Sequence, residues 1–143
     1  MGILSLWPRL LRALRGPSDR SREGTAREGE NLAGRYLESH GYRILARNYR
    51  VRGGEADLLV EKGGWLIVVE VKTRRSRRFG SALEAVTPTK ARRVLLAGRV
   101  FARRQGISLT RLRGDVVALD YPDGGGEPRL THIQDALPFD RGG

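Results

Sequence analysis

Asp57, Glu70 and Lys72 stand where a strand-forming sequence has little use for charge, within GEADLLVEKGGWLIVVEVK, residues 54–72. The surrounding positions are apolar. Burying an ionised group in such a strand costs several kcal/mol unless the group is paired or binds a metal. Two carboxylates suit a hard divalent cation, because Mg2+ takes carboxylate, water and phosphate oxygens as ligands. A lysine two residues beyond the second carboxylate projects to the same side of the strand. There it can orient or deprotonate an attacking water, or neutralise the charge of a phosphate under attack. This is the chemistry of phosphodiester hydrolysis. The use of lysine is a further hint, since only Lys62, Lys72 and Lys90 among the 27 basic residues are not arginine. Lysine is a compact, titratable point charge and arginine is neither.

The elements that must position these groups follow from local pattern. Gly63-Gly64 between EADLLVEK and WLIVVEVKT predicts a type I′ hairpin whose register pairs Lys62 with Trp65 and, counted back, Asp57 with Glu70. Directly opposed residues have Cβ atoms about 4.5 to 5.5 Å apart, so the two carboxylates repel unless a cation lies between them. Glu70 and Lys72 share one face of the strand, and Trp65, Ile67, Val69 and Val71 take the other. The carbonyl of Val71, next to Glu70, is a candidate third protein ligand.

Upstream, Ala26, Leu32, Ala33, Tyr36 and Leu37 repeat at a helical period from Thr25 to His40, with Gly41 as a C-terminal cap. Glu30 falls at the rim of that buried stripe. YRILARNYRV then reads as a first strand. Downstream, the basic loop RRSRRFGSALEAV leads into TPTKARRVLLAGRVFARRQG. Here Thr87 is a good N-cap, Pro88 takes the first helical position, and Ala91, Val94, Leu95, Gly98, Phe101 and Ala102 form the inward stripe. RLRGDVVALDY is a further strand, followed by the PDGGGEP turn and a shorter apolar tail from His132 to Leu137. The order is helix, three strands, helix, strand, and the fold class is α/β with a mixed central sheet flanked by helices.

The chain of 143 residues is 39% hydrophobic, enough for one modest core. Its formal charge of +11 and pI of about 11.2 favour a polyanionic partner, nucleic acid or an anionic surface. Arg74, Arg75, Arg77 and Arg78 in KTRRSRR leave directly from the carboxylate site, where phosphates must lie, and Lys90 and Arg92 add basic groups on the second helix. We expect these six to bind DNA with little sequence preference. The absence of cysteine excludes disulfides, thiolate metal sites and cysteine nucleophiles, and suits a reducing cytoplasm. His40 and His132 are too few for a histidine zinc site or a triad, and each reads as a surface or packing residue. Residues 1–27 read as a basic amphipathic appendage ending in a polar linker from Gly16 to Arg27, ahead of a domain over 28–143. The appendage has no apolar run of the roughly 18 residues a membrane span requires.

The stretches GENLAGRYLESHGYRILARNYR, GEADLLVEKGGWLIVVEVKTR, FGSALEAVTPTKARRV and GDVVAL resemble the YraN (UPF0102) family within the PD-(D/E)XK nuclease superfamily and, less closely, archaeal Holliday junction resolvases. The resemblance spans roughly Gly29 to Leu119. It implies a restriction-endonuclease-like fold, metal-binding and catalytic roles for Asp57 and Glu70, a catalytic role for Lys72, and an accessory acidic role for Glu30. Glu55 looks like a signature residue of the family without a settled role. The expectation is a Mg2+- or Mn2+-dependent DNA endonuclease acting on branched or damaged duplexes, for which a symmetric homodimer is favoured. The alternative is a binding module on the same fold, with vestigial or partner-dependent chemistry. A soluble basic α/β domain with Asp57 and Glu70 as edge charges stands well behind both.

Overall fold

The alternating apolar stretches in the middle of the chain build a sheet, and the two stretches of helical period build the layers that cover it. A computed structural model describes residues 22–75 and 82–137. Its elements are α1 (Arg22–Ser39), β1 (Arg43–Val51), β2 (Gly54–Lys62), β3 (Trp65–Arg74), α2 (Pro88–Gln105), β4 (Leu112–Asp120) and β5 (Arg129–Ile133). The strands lie in the order β1-β2-β3-β4-β5, antiparallel except for the parallel β3–β4 pair. A parallel pair needs a crossover, and α2 supplies it. The architecture is a restriction-endonuclease-like core with β5 added at one edge. Arg77, Arg78 and nearly all of the N-terminal appendage lie outside the described residues.

Side-chain alternation sends successive residues of each strand to opposite faces, and each face buries its own cluster. Ala56, Leu59, Leu66, Val68, Leu112 and Val116 pack under Ala91, Val94, Leu95, Ala97 and Ala102 of α2. Leu58, Val60, Ile67, Val69 and Val117 pack under Ala33 and Leu37 of α1. The second helix begins as its sequence predicts, with Thr87 Oγ1 accepting the Lys90 N–H at 3.1 Å and Pro88 following the cap. It docks closely because Gly54 has no side chain, and a Cβ there would lie 2.5 Å from the Arg93 carbonyl oxygen.

Two expectations change. The first helix starts at Arg22, so Arg22 to Arg27 is helical and not linker. Arg, Glu and Ala are good helix formers, and the exposure of Ala26 and Arg27 marks this polar stretch as the uncovered start of a helix. The apolar tail also contains a strand, because Arg129 to Ile133 pairs with Val116 to Asp120.

That strand carries His132 into a buried polar network. Asp115 is fully buried and accepts from Arg113 Nε at 2.8 Å, from an Arg113 terminal nitrogen at 3.0 Å and from the Asp135 backbone N–H at 2.9 Å, while His132 Nε2 lies 2.8 Å away. Tyr36 of α1 brings its hydroxyl to 3.4 Å from His132 Nδ1. Burial works to raise the Asp115 pKa, but the bonds from His132 and Arg113 outweigh it and hold the carboxyl below its ordinary range. A carboxylate so fully satisfied is structural, and it ties β4, β5 and α1 together.

Candidate metal and nucleic-acid site

Both φ angles of the Gly63-Gly64 turn are positive, 59° and 80°, as a type I′ turn requires, and the ladder runs from Lys62↔Trp65 to Leu58↔Val69. One step further in the same register come Asp57 and Glu70, and there the β2–β3 ladder ends. β2 remains paired with β1 through Glu55 and Gly54, and β3 remains paired with β4 through Glu70, Lys72 and Arg74. The sheet therefore forks where the two carboxylates stand. Divergence leaves the Val71 N–H without a strand partner, and Asp57 Oδ2 accepts it at 2.8 Å. Glu70 is 3% exposed, and its Oε2 is buried without a hydrogen-bond partner.

The electrostatics follow from this crowding. Burial raises the Glu70 pKa first, the Asp57 charge raises it further, and together they push it up to about 8 against the opposing charges of Lys90 and Lys72. Burial also raises Asp57, opposed by the Val71 hydrogen bond and by Lys90. Glu30 reaches the same locality from α1, and its pKa is raised by burial and then by Asp57. A hydrogen bond from the Asn48 side chain opposes that shift. Asn48 has φ +47° and lies on β1 between the Arg47↔Leu58 and Tyr49↔Ala56 pairs, level with Asp57. Asparagine is among the few non-glycine residues that adopt this conformation readily, and outliers of this kind cluster at functional sites.

Alternation places Glu70, Lys72 and Arg74 of β3 on the face covered by α2, in the row of Leu66 and Val68, and Lys90 of α2 reaches Glu55 of β2. Lys72 is half-buried there. Arg74 continues its row, with a buried Nε that has no hydrogen-bond partner. Arg75 turns to the opposite face, where a terminal nitrogen lies 3.7 Å from Glu28 Oε2 and the guanidinium sits 4.7 Å above the Tyr121 ring. Arg92 is exposed on α2, 3.4 Å from Thr89 Oγ1. Lys90 belongs to the carboxylate cluster itself. Its Nζ lies 3.1 Å from Glu55 Oε1, and Arg50 Nε lies 3.7 Å from Glu55 Oε2. Burial disfavours the Lys90 ammonium, yet Glu70 and Glu55 outweigh that and raise its pKa. The bond from Lys90 holds the Glu55 carboxyl below its ordinary value.

Sequence pattern identifies the β2 and β3 members of this site and misses Asn48 and the place of Lys90 among the carboxylates. The Thr87-Pro88 cap was the available signal for Lys90, since it fixes the lysine in the first turn of a crossover helix. Among the described residues no three His, Cys, Asp or Glu side chains converge as a metal cage.

Residues 29–119, which include every strand of the fork, match the model of the uncharacterised protein family UPF0102. The chain belongs to this family. It is 46% identical over 109 residues to a UPF0102 protein of Rhodococcus jostii (strain RHA1), covering 76% of this chain and 92% of that protein. A UPF0102 protein of Symbiobacterium thermophilum is 45% identical with the same coverage. One from Geobacter sulfurreducens is 44% identical over 111 residues, covering 76% of this chain and 84% of the relative. No helix among the described residues of this UPF0102 protein is long and apolar enough to cross a membrane.

Proposed function

We propose that this UPF0102 protein is a Mg2+- or Mn2+-dependent endonuclease that hydrolyses phosphodiester bonds in DNA, with branched or damaged duplexes as its substrates. The observation that carries the reading is Glu70, buried beside Asp57 at the fork with a carboxyl oxygen that no protein group satisfies. Buried unsatisfied acceptors are rare in native proteins, and a divalent ion between the two carboxyl groups would fill the vacancy in place of the proton that burial and Asp57 retain on Glu70. Asp57, Glu70 and the Val71 carbonyl would hold the ion, which when bound supplies charge stabilisation on the phosphate and a more acidic water. Lys72 orients the attacking water or accepts its proton, and Glu30 acts as an accessory acid next to Asp57. Arg74 and Lys90 receive substrate phosphates. Cutting both strands at a branch favours a symmetric homodimer, and a chain without cysteine suits the reducing cytoplasm.

The test is incubation of the purified protein with labelled junction, flap, nicked and linear DNA in Mg2+ and in Mn2+. At least one of these is cut, and Glu70→Ala abolishes the cutting. Lys72→Ala keeps metal and DNA binding but slows the reaction by about 10² to 10⁴, the usual contribution of general acid–base assistance. Lys72→Arg rescues poorly, because a guanidinium stays protonated. If DNA is bound in metal and nothing is cut, the endonuclease reading gives way to that of a binding module.

A further inference from the structure

Lys90 and Glu55 enter the site through the fold and not through the acid–acid–lysine motif, and what they do there rests on the nucleic-acid reading above. Lys90 stands in the first turn of α2, which carries no acidic residue, so its ammonium adds to the positive end of the helix dipole. Its side chain is 27% exposed. The nearby Asp57 and Glu70 pair, with the unpartnered Glu70 Oε2, is a strong attractor for a flexible ammonium. A lysine settled on that pair would occupy the place of the metal. Its hydrogen bond instead goes to Glu55, 3.1 Å away, whose other oxygen faces Arg50 at 3.7 Å.

We propose that Glu55 is a positioning residue that holds Lys90 beside the carboxylate pair as the receiver of a nucleic-acid phosphate. An ammonium has three donors, and the bond to Glu55 uses one of them. The remaining N–H groups can reach phosphate oxygens while Asp57 and Glu70 stay open to a cation. Glu55 thus sets where the substrate backbone lies relative to the metal ligands, although its own negative charge repels that backbone.

This opposition of sign makes the idea testable by anisotropy of a labelled branched DNA in EDTA, where neither cleavage nor metal affinity enters. The proteins compared are the full-length wild type, Lys90→Ala, Lys90→Arg, Glu55→Gln and the Glu55→Gln, Lys90→Ala double variant. Lys90→Ala lowers the slope of log affinity against log salt by about one, the signature of a lost phosphate contact, and Lys90→Arg retains the slope. Glu55→Gln removes a negative charge, yet weakens binding while Lys90 is present and strengthens it in the Lys90→Ala background. Strengthening in both backgrounds, or an unchanged slope in Lys90→Ala, overturns the proposal and leaves the proposed function standing. A wild type that binds no DNA in EDTA overturns the proposal, and one that binds none in Mg2+ either overturns the proposed function as well.

Discussion

Glu70 keeps a proton through a pH range in which the unfolded chain has released it, because burial and Asp57 lift its pKa from the ordinary 4.5 to about 8. The folded state then binds more protons than the unfolded state, and stability falls as pH rises across that interval. In metal-free protein the melting temperature therefore declines between pH 4.5 and about 8, and Glu70→Gln flattens the decline. If the proposed metal site is real, saturating Mg2+ reverses the trend, since the ion would need deprotonated carboxylates and a folded site. Melting curves followed by circular dichroism read all three outcomes. A wild-type curve that is flat across the interval contradicts the assigned burial of Glu70. Asp115 has the opposite linkage. Its pKa is held below the ordinary range, so its stabilisation is present at neutral pH and is lost as pH falls through the folded value. Asp115→Ala removes the acceptor shared by Arg113, His132 and the Asp135 N–H, and breaking a buried pair of this kind typically costs about 3 to 5 kcal/mol, which urea denaturation at pH 7 would detect.

Among the elements, the hairpin was legible because Gly63-Gly64 admits one tight turn and that turn fixes the register out to Leu58↔Val69. The end of the ladder was not legible. Whether two strands stay paired depends on what their outer neighbours do, and here β1 keeps β2 while β4 keeps β3. The inward stripe of α2 was likewise readable from its period, whereas the place of Lys90 follows from how far the crossover carries the helix start over the sheet. That docking depends on Gly54. Gly54→Ala forces a methyl against the Arg93 carbonyl, lowers stability by about 1 to 3 kcal/mol and shifts the first turn of α2 away from Glu55. Thermal denaturation and metal affinity should fall together in this variant. A melting temperature equal to the wild type would show that α2 does not press on β2 as described.

The whole molecule carries a formal charge of +11, yet acidic groups gather at the fork. On the proposed reading a polyanion would be drawn to the protein by its surface and admitted to the site only where Lys72, Arg74 and Lys90 offset the carboxylates. Non-specific affinity for duplex DNA should fall steeply with salt, since each neutralised phosphate releases counterions. Replacing Arg74 should lower the salt slope more than replacing Arg75, because Arg75 faces Glu28 and Tyr121 on the other side of the sheet. Equal effects of the two would argue against a path along the α2 face. Narrower than DNA binding is the proposal that Asp57 and Glu70 are buried together at the fork because they hold a divalent cation. Calorimetric titration of Mn2+ and Mg2+ into the wild type and into the Asp57→Asn, Glu70→Gln double variant tests it directly. Saturable binding by the wild type and none by the variant is the expected result, and equal binding by the two proteins would contradict the metal role of Asp57 and Glu70.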